Sequence, residues 1–291
     1  MKKALFLILM CLTITVSFAQ HKIMVWDSLS NKPIAYARVT CPAVEGGAYS
    51  NEAGVFILPS NFTHISINAL GYNEKTIAVA QDLQRIYLTK QENKQPEKLK
   101  NFSNTDCEIG YFNEHEKSMN LSLTAGFEEG VFIPNKFNKE LKVKKIILET
   151  NPLPWIIRKL ANDPPSLIRI NFYKANENKE IGEIINTNQL VYSSKTLKEK
   201  TIINLSKENI IIPAEGVIVG IEYLGIIRGK DKLIYTSKYD EDGEFIGGGV
   251  IFPMAKLSEK KGTTYIIRYF KNKKINVYKS FDVLKISLIA S

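Results

Sequence analysis

The chain has 291 residues, of which 44% are hydrophobic and 24% charged, and its formal net charge is +9. This length allows one large domain or two ordinary ones, and the composition is ordinary for a globular protein. The positive charge is moderate and spread along the chain. Its densest stretch, KNKKINVYK at 271–279, alternates lysine with Ile and Val as a solvated strand face does. We therefore expect no nucleic-acid partner.

Residues 1–19 have the features of a secretory signal peptide. Lys2 and Lys3 form a positive start, residues 4–16 form an apolar core, and small residues precede a cleavage site at Gln20. Such a segment is too short and too cleavable to be a stable membrane span. The sequence therefore predicts an exported protein in the periplasm, at the outer-membrane periphery or outside the cell. We expect no integral membrane span after cleavage.

Residues 20–90 alternate apolar and polar side chains between short turns, which predicts β-strands. Ile23 and Val25 share one face of the first strand, and Ile65 and Ile67 share one face of a later strand. The segments are KIMVWD, PIAYARVTC, AYSNE, GVFILP, THISINAL, EKTIAVAQ and LQRIYLTK. Seven short strands without a helical period predict an all-β sandwich.

Two turns punctuate this region. In YSNEAGVF, at 49–56, we expect a tight hairpin, because Asn51 can bond its own backbone and Gly54 supplies a positive φ without steric cost. Phe56 or its neighbour then enters the core. A second corner is expected at LGY, where Gly71 separates a buried strand end from an aromatic residue. We interpret Asn51, Gly54 and Gly71 as structural turn residues.

The segments VWDSLSNKPIAYARVTC, GAYSNEAGVFILP and ISINALGY together resemble the carboxypeptidase-regulatory-like domain. The positions that fit the family pattern are Asp27, Pro33, Ala37, Gly47, Gly54, Phe56, Gly71 and Tyr72. Ser50 and Asn51 stand where that family usually has Thr and Asp. The resemblance covers about a quarter of the chain and implies a seven-stranded, transthyretin-like sandwich that is not itself catalytic. Such domains accompany metallocarboxypeptidases and precede bacterial outer-membrane transporters.

Residues 91–103 are polar and without apolar period, which predicts an exposed linker. Residues 104–291 then contain longer strand segments, among them LKVKKIILET, SLIRINFYKA and GVIVGIEYLG. This number of strands predicts a second, larger β-sandwich of jelly-roll type. The order of segments resembles a region that recurs behind the regulatory-like domain in exported bacterial proteins, and that resemblance implies no activity.

The residues that could carry metal or redox chemistry are few. Cys41 shares strand parity with Ala37 and Val39, which indicates a buried thiol, whereas Cys107 lies in a polar segment; a disulfide between them stays an open alternative. The histidines, at positions 21, 64 and 115, have no spaced carboxylate partner, so no zinc-peptidase motif is present. We expect no cofactor.

The segment YDEDGEF offers a weak calcium candidate. Asp240, Asp242 and Glu244 alternate around Gly243, as hard oxygen ligands do. Asp-Gly is also a strong hairpin signal between two strand segments, and we favour the hairpin.

Trp155, in the proline-flanked segment NPLPWIIRKLANDPP, is a weak candidate for ligand binding. Its flat face could stack on a sugar ring or anchor a partner. The alternative, which we favour, is that it closes one end of the sandwich.

We therefore expect a non-enzymatic, exported interaction or scaffold protein, accessory to cell-envelope assembly or polymer uptake. Its partner would be a protein or glycan of the cell envelope. One alternative is a carbohydrate-binding β-sandwich. A second is an enzyme associated with carboxypeptidases, which the missing zinc ligands oppose.

Overall fold

The computed structural model describes residues 21–41, 46–58, 62–80, 83–91, 102, 105–112, 116–121, 125–151, 165–176, 178–193, 196, 200–236, 254–270 and 274–291. These residues form strands and turns with essentially no helix, so the expected all-β class is confirmed. The described part of the chain contains no helix of the length and apolarity that a membrane crossing requires. The proposed signal peptide and most of the proposed linker lie outside the described residues.

The first seven strands form a sandwich of two sheets. Their bounds are β1 His21–Asp27, β2 Arg38–Thr40, β3 Gly47–Tyr49, β4 Val55–Leu58, β5 His64–Asn68, β6 Lys75–Ala78 and β7 Arg85–Leu88. One sheet has the order β4-β1-β7 and the other β3-β2-β5-β6. Alternate side chains of both sheets meet in a common core that includes Ile23, Val25, Val39, Phe56 and Ile67. We call strands β1–β7 the N-terminal sandwich.

The turn between β3 and β4 differs from the hairpin that the sequence predicts. β3 pairs with β2, whereas β4 pairs with β1, so the two strands belong to different sheets. Asn51 Oδ1 accepts hydrogen bonds from the backbone N–H groups of Ala53 at 3.0 Å and Val55 at 2.9 Å, and Gly54 has a φ of +73°. The segment is thus a corner that carries the chain from one sheet to the other.

The remaining strands form one 14-stranded sheet. Their bounds are β8 Cys107–Gly110, β9 Glu116–Leu121, β10 Phe127–Pro134, β11 Leu141–Asn151, β12 Ser166–Ala175, β13 Ile181–Ile184, β14 Leu190–Ser193, β15 Lys200–Asn204, β16 Ile211–Ile212, β17 Gly216–Arg228, β18 Leu233–Tyr235, β19 Met254–Arg268, β20 Lys274–Leu284 and β21 Ile286–Ala290. The central path is β13-β12-β17-β10-β19-β11-β21-β8.

This sheet curls so that its two halves enclose one core. Side chains of β12, β17 and β10, such as Ile170, Val219 and Val131, pack in the same cluster as Ile146 of β11 and Leu288 of β21. The arrangement buries one face of each half, as in a sandwich. We call strands β8–β21 the C-terminal sandwich.

Candidate functional site

The outer face of the C-terminal sandwich carries charged side chains that are nevertheless buried. On β12, Ile168, Ile170 and Phe172 point into the core, and strand alternation therefore places Arg169 and Asn171 on the opposite face. On β17 and β10 the same alternation brings Glu222 and Glu128 to that outer face beside them. Both glutamates have no solvent-exposed surface, so something must cover them.

The N-terminal sandwich supplies that cover through β2 and β3. Tyr49 packs against Leu167, Leu224 and Ile234 of the C-terminal sandwich in a small apolar cluster. Around this cluster, Thr236 donates a hydrogen bond to the carbonyl of Gly47 at 2.6 Å, and Asn51 Nδ2 donates to the carbonyl of Asp231 at 2.7 Å. Asn51, predicted as a turn residue, therefore also contacts the C-terminal sandwich.

Glu222 lies at the centre of the contact and joins arginines from both sandwiches. Its Oε1 accepts from Arg38 Nε at 2.9 Å, Arg38 Nη2 at 2.6 Å and the Tyr49 hydroxyl at 2.6 Å. Its Oε2 accepts from Arg169 Nε at 2.8 Å. Burial alone would raise the pKa of Glu222, but the charges of Arg169 and Arg38 outweigh burial and hold that pKa below its ordinary value. Glu222 is therefore ionised.

Glu128 lies beside Glu222 and behaves differently. Its Oε2 accepts from Asn171 Nδ2 at 2.9 Å, the Tyr173 hydroxyl at 3.0 Å and the Tyr269 hydroxyl at 2.6 Å. Its Oε1 is buried without a hydrogen-bond partner among the described residues. Burial first, and then the negative charge of Glu222, raise the pKa of Glu128 to about 7.

Arg38 and Arg169 use their guanidinium groups in different ways. The Arg38 guanidinium lies over the Tyr269 ring, 3.2 Å from its centroid, in addition to its pairing with Glu222. Arg169 Nη1 donates to the Tyr36 carbonyl at 3.1 Å and to Gln189 Oε1 at 2.8 Å. Arg169 Nη2 is buried and has no hydrogen-bond partner in the described part of the chain.

These eight side chains, which we call the charged floor, lie at the bottom of a cleft between the two sandwiches. The charged floor consists of Arg38, Tyr49, Glu128, Arg169, Asn171, Tyr173, Glu222 and Tyr269. The cleft has a volume of about 1010 Å³, and five of the eight line it directly: Arg38, Arg169, Asn171, Tyr173 and Tyr269.

The two walls of the cleft differ in character. The N-terminal wall is the outer face of the sheet β3-β2-β5-β6, which presents hydroxyl and amide side chains including Thr40, Ser66, Asn68 and Thr76. Tyr72 and Gly71 stand at its rim. The C-terminal wall is built from residues 181–187 with Ile267, Phe270 and Ile275, and it mixes isoleucines with the polar side chains of Glu183, Asn186 and Thr187. The cleft thus combines a charged base with two walls that each carry a carboxylate, Glu74 on the N-terminal wall and Glu183 on the C-terminal wall.

The remaining predicted site residues lie apart from the charged floor. Gly71 has a φ of +80° and lies at the cleft rim, and His64 is exposed on β5. Cys41 is a buried free thiol at the cleft, and Cys107 is a free thiol on β8. Trp155, His115 and the calcium candidate Asp240, Asp242 and Glu244 lie outside the described residues. Within the described ranges, no three His, Cys, Asp or Glu side chains form a group that could hold a metal ion.

Sequence reasoning missed the charged floor, although a signal was present. Arg169 interrupts the apolar strand SLIRINFYKA, and Glu222 interrupts GVIVGIEYLG. A charged residue in an otherwise apolar strand indicates either a solvated position or a buried, paired charge. To decide between these two alternatives, one must know which strands cover the charged residue. For Glu222 these strands are β2 and β3, which belong to the N-terminal sandwich.

Comparison with known proteins adds no relative: no family model, no curated protein and no solved structure matches this chain.

Proposed function

We propose that this chain is a non-enzymatic, exported interaction protein and that the cleft between its sandwiches holds its partner. The observation that carries the proposal is that both sandwiches build the charged floor, through Arg38 and Tyr49 on one side and Glu222 and Arg169 on the other. A paired, buried floor beneath an open cleft is typical of a preformed binding site.

The ionised carboxylate of the floor is already held by its neighbours, which argues against Glu222 as a general base. Glu222 accepts from Arg38, Arg169 and Tyr49, so its lone pairs are committed to holding the sandwiches together. A general base needs a free lone pair within reach of a substrate proton. We therefore assign Glu222 a positioning role between the sandwiches.

Export is part of the same proposal. The signal-like residues 1–19 and the resemblance of residues 20–90 to the carboxypeptidase-regulatory-like domain both support a protein of the cell envelope. The two-sheet arrangement of β1–β7 is compatible with that resemblance. Accessory roles in envelope assembly or polymer uptake are the proposed setting.

Carbohydrate binding is the second candidate, and the composition of the N-terminal wall favours it. Thr40, Asn68 and Thr76 offer groups that both donate and accept hydrogen bonds, as sugar hydroxyls do. Tyr72 and Phe270 line the same cleft, and aromatic rings suit the C–H face of a sugar. A glycan array with the purified protein tests this candidate directly.

The main proposal is tested by filling the cleft. Thr76 is exposed on β6 and lines the cleft, so Thr76→Trp should obstruct it without disturbing either core. Ile202→Trp on β15, which is 58% exposed and does not line the cleft, is the matched control. We expect a partner captured from the native envelope fraction to be lost with Thr76→Trp and kept with Ile202→Trp. Equal capture by both variants would place the binding surface elsewhere.

A further inference from the structure

Strand β13 borders the cleft along its edge and not along one face. Every residue from 181 to 187 lines the cleft, although neighbouring side chains of a strand point to opposite faces of the sheet. Ile181 packs against the apolar cluster on the outer face of the C-terminal sandwich, and Ile185 packs against the inner core. Because residues that point to both faces share the strand edge, that edge is the part of β13 that faces the cleft.

Among the described strands, none pairs with this edge. β13 is the first strand of the sheet path and pairs with β12, in a register where Ile184 lies opposite Tyr173. The Ile185 N–H donates to the Phe172 carbonyl at 2.7 Å, which makes Ile184 and Tyr173 a non-hydrogen-bonded pair of the antiparallel ladder. The backbone N–H and C=O of Ile184 therefore point away from β12, on the side that borders the cleft. Within the described residues, no backbone group bonds to either of them.

A second polypeptide strand is the ligand that matches such an edge. Its backbone carries N–H and C=O groups at the spacing of a strand, so it can exchange two hydrogen bonds with Ile184 and extend the sheet, as strand-adding peptides do in other complexes. β13 is short, with bounds Ile181–Ile184, so the pairing covers few residues. The rest of the affinity must come from contacts with the walls of the cleft.

The walls offer contacts for the side chains of an added strand. Ile184 and Ile275 both line the cleft and are 40% and 43% exposed, so apolar side chains of a ligand can bury them. On the N-terminal wall, Asn68 and Thr76 can donate and accept hydrogen bonds. An extended peptide, whose successive side chains point in opposite directions, can contact both walls at once.

The charges that line the cleft balance one another. Arg38 and Arg169 are offset by Glu74 and Glu183, and no other charged side chain of the described residues lines the cleft. The lining therefore favours neither an anion nor a cation. Backbone pairing and apolar contact remain as the sources of affinity.

We propose that the cleft binds an extended polypeptide segment, which pairs with the backbone of Ile184 and adds to the free edge of β13 as a further strand. This inference rests on the proposed function and specifies its partner as a polypeptide. The side chains of the segment pack against Ile184 and Ile275 and contact the N-terminal wall.

The probe is a peptide selected on the purified protein from a displayed library of random octapeptides and then synthesised. A series of its analogues carries a methyl group on one backbone nitrogen at a time. We expect methylation of the nitrogen that pairs with Ile184 to weaken binding about ten-fold or more, because a hydrogen bond to the edge is lost. Methylation of the two neighbouring nitrogens, whose N–H groups point away from β13, should change the affinity much less.

Two variants of the protein assign the pairing to β13. Ile184→Pro removes the outward N–H and keeps the ladder with β12, because proline is tolerated where its nitrogen faces away from the sheet. Ile184→Ala removes the side chain and keeps the N–H. We expect Ile184→Pro to bind the peptide about ten-fold or more weakly than Ile184→Ala. Thermal unfolding, measured in parallel, shows whether the fold is kept. If Ile184→Pro unfolds, hydrogen exchange of the Ile184 amide in the unaltered protein decides, and bound peptide should slow it about ten-fold or more.

The remaining outcomes contradict the inference. Equal effects of methylation at successive nitrogens, or equal affinities of Ile184→Pro and Ile184→Ala, would overturn strand addition. If the library yields no peptide whose binding Thr76→Trp weakens, the cleft is not a peptide site. The proposed interaction function is judged separately: an envelope partner that Thr76→Trp loses and Ile184→Pro still captures would support the cleft as the binding site and contradict pairing with β13.

Discussion

Two buried carboxylates, one in each sandwich, receive their hydrogen bonds from different sources. In the N-terminal sandwich, Asp27 Oδ1 accepts from the backbone N–H groups of Leu29 at 2.8 Å and Ser30 at 3.1 Å. Its Oδ2 accepts from the Tyr72 hydroxyl at 2.9 Å, and Lys90 Nζ lies 3.5 Å away. The backbone hydrogen bond from Ser30 is the largest of the effects that hold the pKa of Asp27 well below its ordinary value.

Glu128 of the charged floor receives only side-chain donors and lies next to another carboxylate. Backbone donors in a turn are fixed by the local chain and favour the ionised form, whereas burial beside Glu222 favours the neutral form. The comparison shows that the N-terminal sandwich stabilises its buried charge locally. The charged floor stabilises Glu222 across a contact between two sandwiches and leaves Glu128 poorly compensated.

The largest expected effect comes from removing the central carboxylate of the charged floor. Glu222→Gln leaves Arg38 and Arg169 buried without a counter-charge and turns an amide N–H₂ toward a guanidinium. We expect the free energy of unfolding to fall by about 3–5 kcal/mol, measured by urea denaturation. Glu215→Gln, at an exposed turn before β17, is the control and should change it by less than about 0.5 kcal/mol. Equal effects would show that Glu222 is not paired in solution.

Space for the Glu128 side chain comes from a glycine on the neighbouring strand. A Cβ on Gly220 would collide with Glu128 Oε1, whereas one on Gly130, directly opposite in the ladder, would meet Ile218 Cγ2 at 3.3 Å. We expect Gly220→Ala to lower the free energy of unfolding by about 1–3 kcal/mol and Gly130→Ala to lower it less. If thermal unfolding ranks the two variants in the opposite order, Glu128 does not point toward Gly220.

In the N-terminal sandwich, two glycines are required by the backbone conformation, because Gly54 and Gly71 both have a positive φ. A Cβ on Gly54, at a φ of +73°, would lie 2.6 Å from the Val25 carbonyl oxygen, whereas one on Gly71, at a φ of +80°, would meet no atom within 4 Å. Gly54→Ala therefore combines backbone strain with a collision, and Gly71→Ala has the strain alone. We expect Gly54→Ala to lower the free energy of unfolding by about 1–3 kcal/mol and by more than Gly71→Ala. If the two variants lose the same free energy of unfolding, the close approach of Gly54 to the Val25 carbonyl does not exist in solution.

The two carboxylates should also give the free energy of unfolding opposite dependences on pH. Because the folded pKa of Asp27 lies below its ordinary 3.8, its contribution is complete above that pH and is lost as the pH falls below it. Because the folded pKa of Glu128 is about 7 rather than 4.5, the free energy of unfolding should fall as the pH rises from 4.5 to about 7. Burial raises the pKa of Glu129 to about 8, so the free energy of unfolding should continue to fall as the pH rises to about 8.

Urea denaturation from about pH 3 to about pH 8 measures both slopes. Asp27→Asn should reduce the slope of the free energy of unfolding against pH below pH 3.8 and leave the slope above pH 4.5 unchanged. Glu128→Gln should do the reverse: it should reduce the slope between pH 4.5 and about 7 and leave the acidic slope unchanged. A neutral slope that Glu128→Gln does not alter would mean that Glu128 is ionised in the folded protein.

The positions of several strands could be predicted from the sequence, but the strands with which they pair could not. Period-two alternation identifies β1 and β7, because one face of each is buried and burial leaves a local pattern. The pattern does not say which strand lies alongside, so the corner after β3 was predicted as a hairpin within one sheet. Asn51 and Gly54 serve either arrangement, because both need a tight turn with one positive φ.

The charged floor required information that no local pattern contains. Arg38 and Glu222 are 184 positions apart, and Arg169 and Glu222 are 53 positions apart. Their contact depends on the register of β12 with β17 and on how β2 lies over both. Each residue alone resembles a solvated charge on a strand, and only the docking of one sandwich on the other turns it into a buried pair.

The central claim is that both sandwiches build the floor of the cleft, and a double-mutant cycle between them tests it most directly. The cycle combines Arg38→Met in the N-terminal sandwich with Glu222→Gln in the C-terminal sandwich, with the free energy of unfolding measured for all four proteins. Direct pairing predicts that the two losses are not additive, with a coupling energy of about 1–3 kcal/mol. Losses that add to within about 0.5 kcal/mol would contradict the contact and, with it, the cleft.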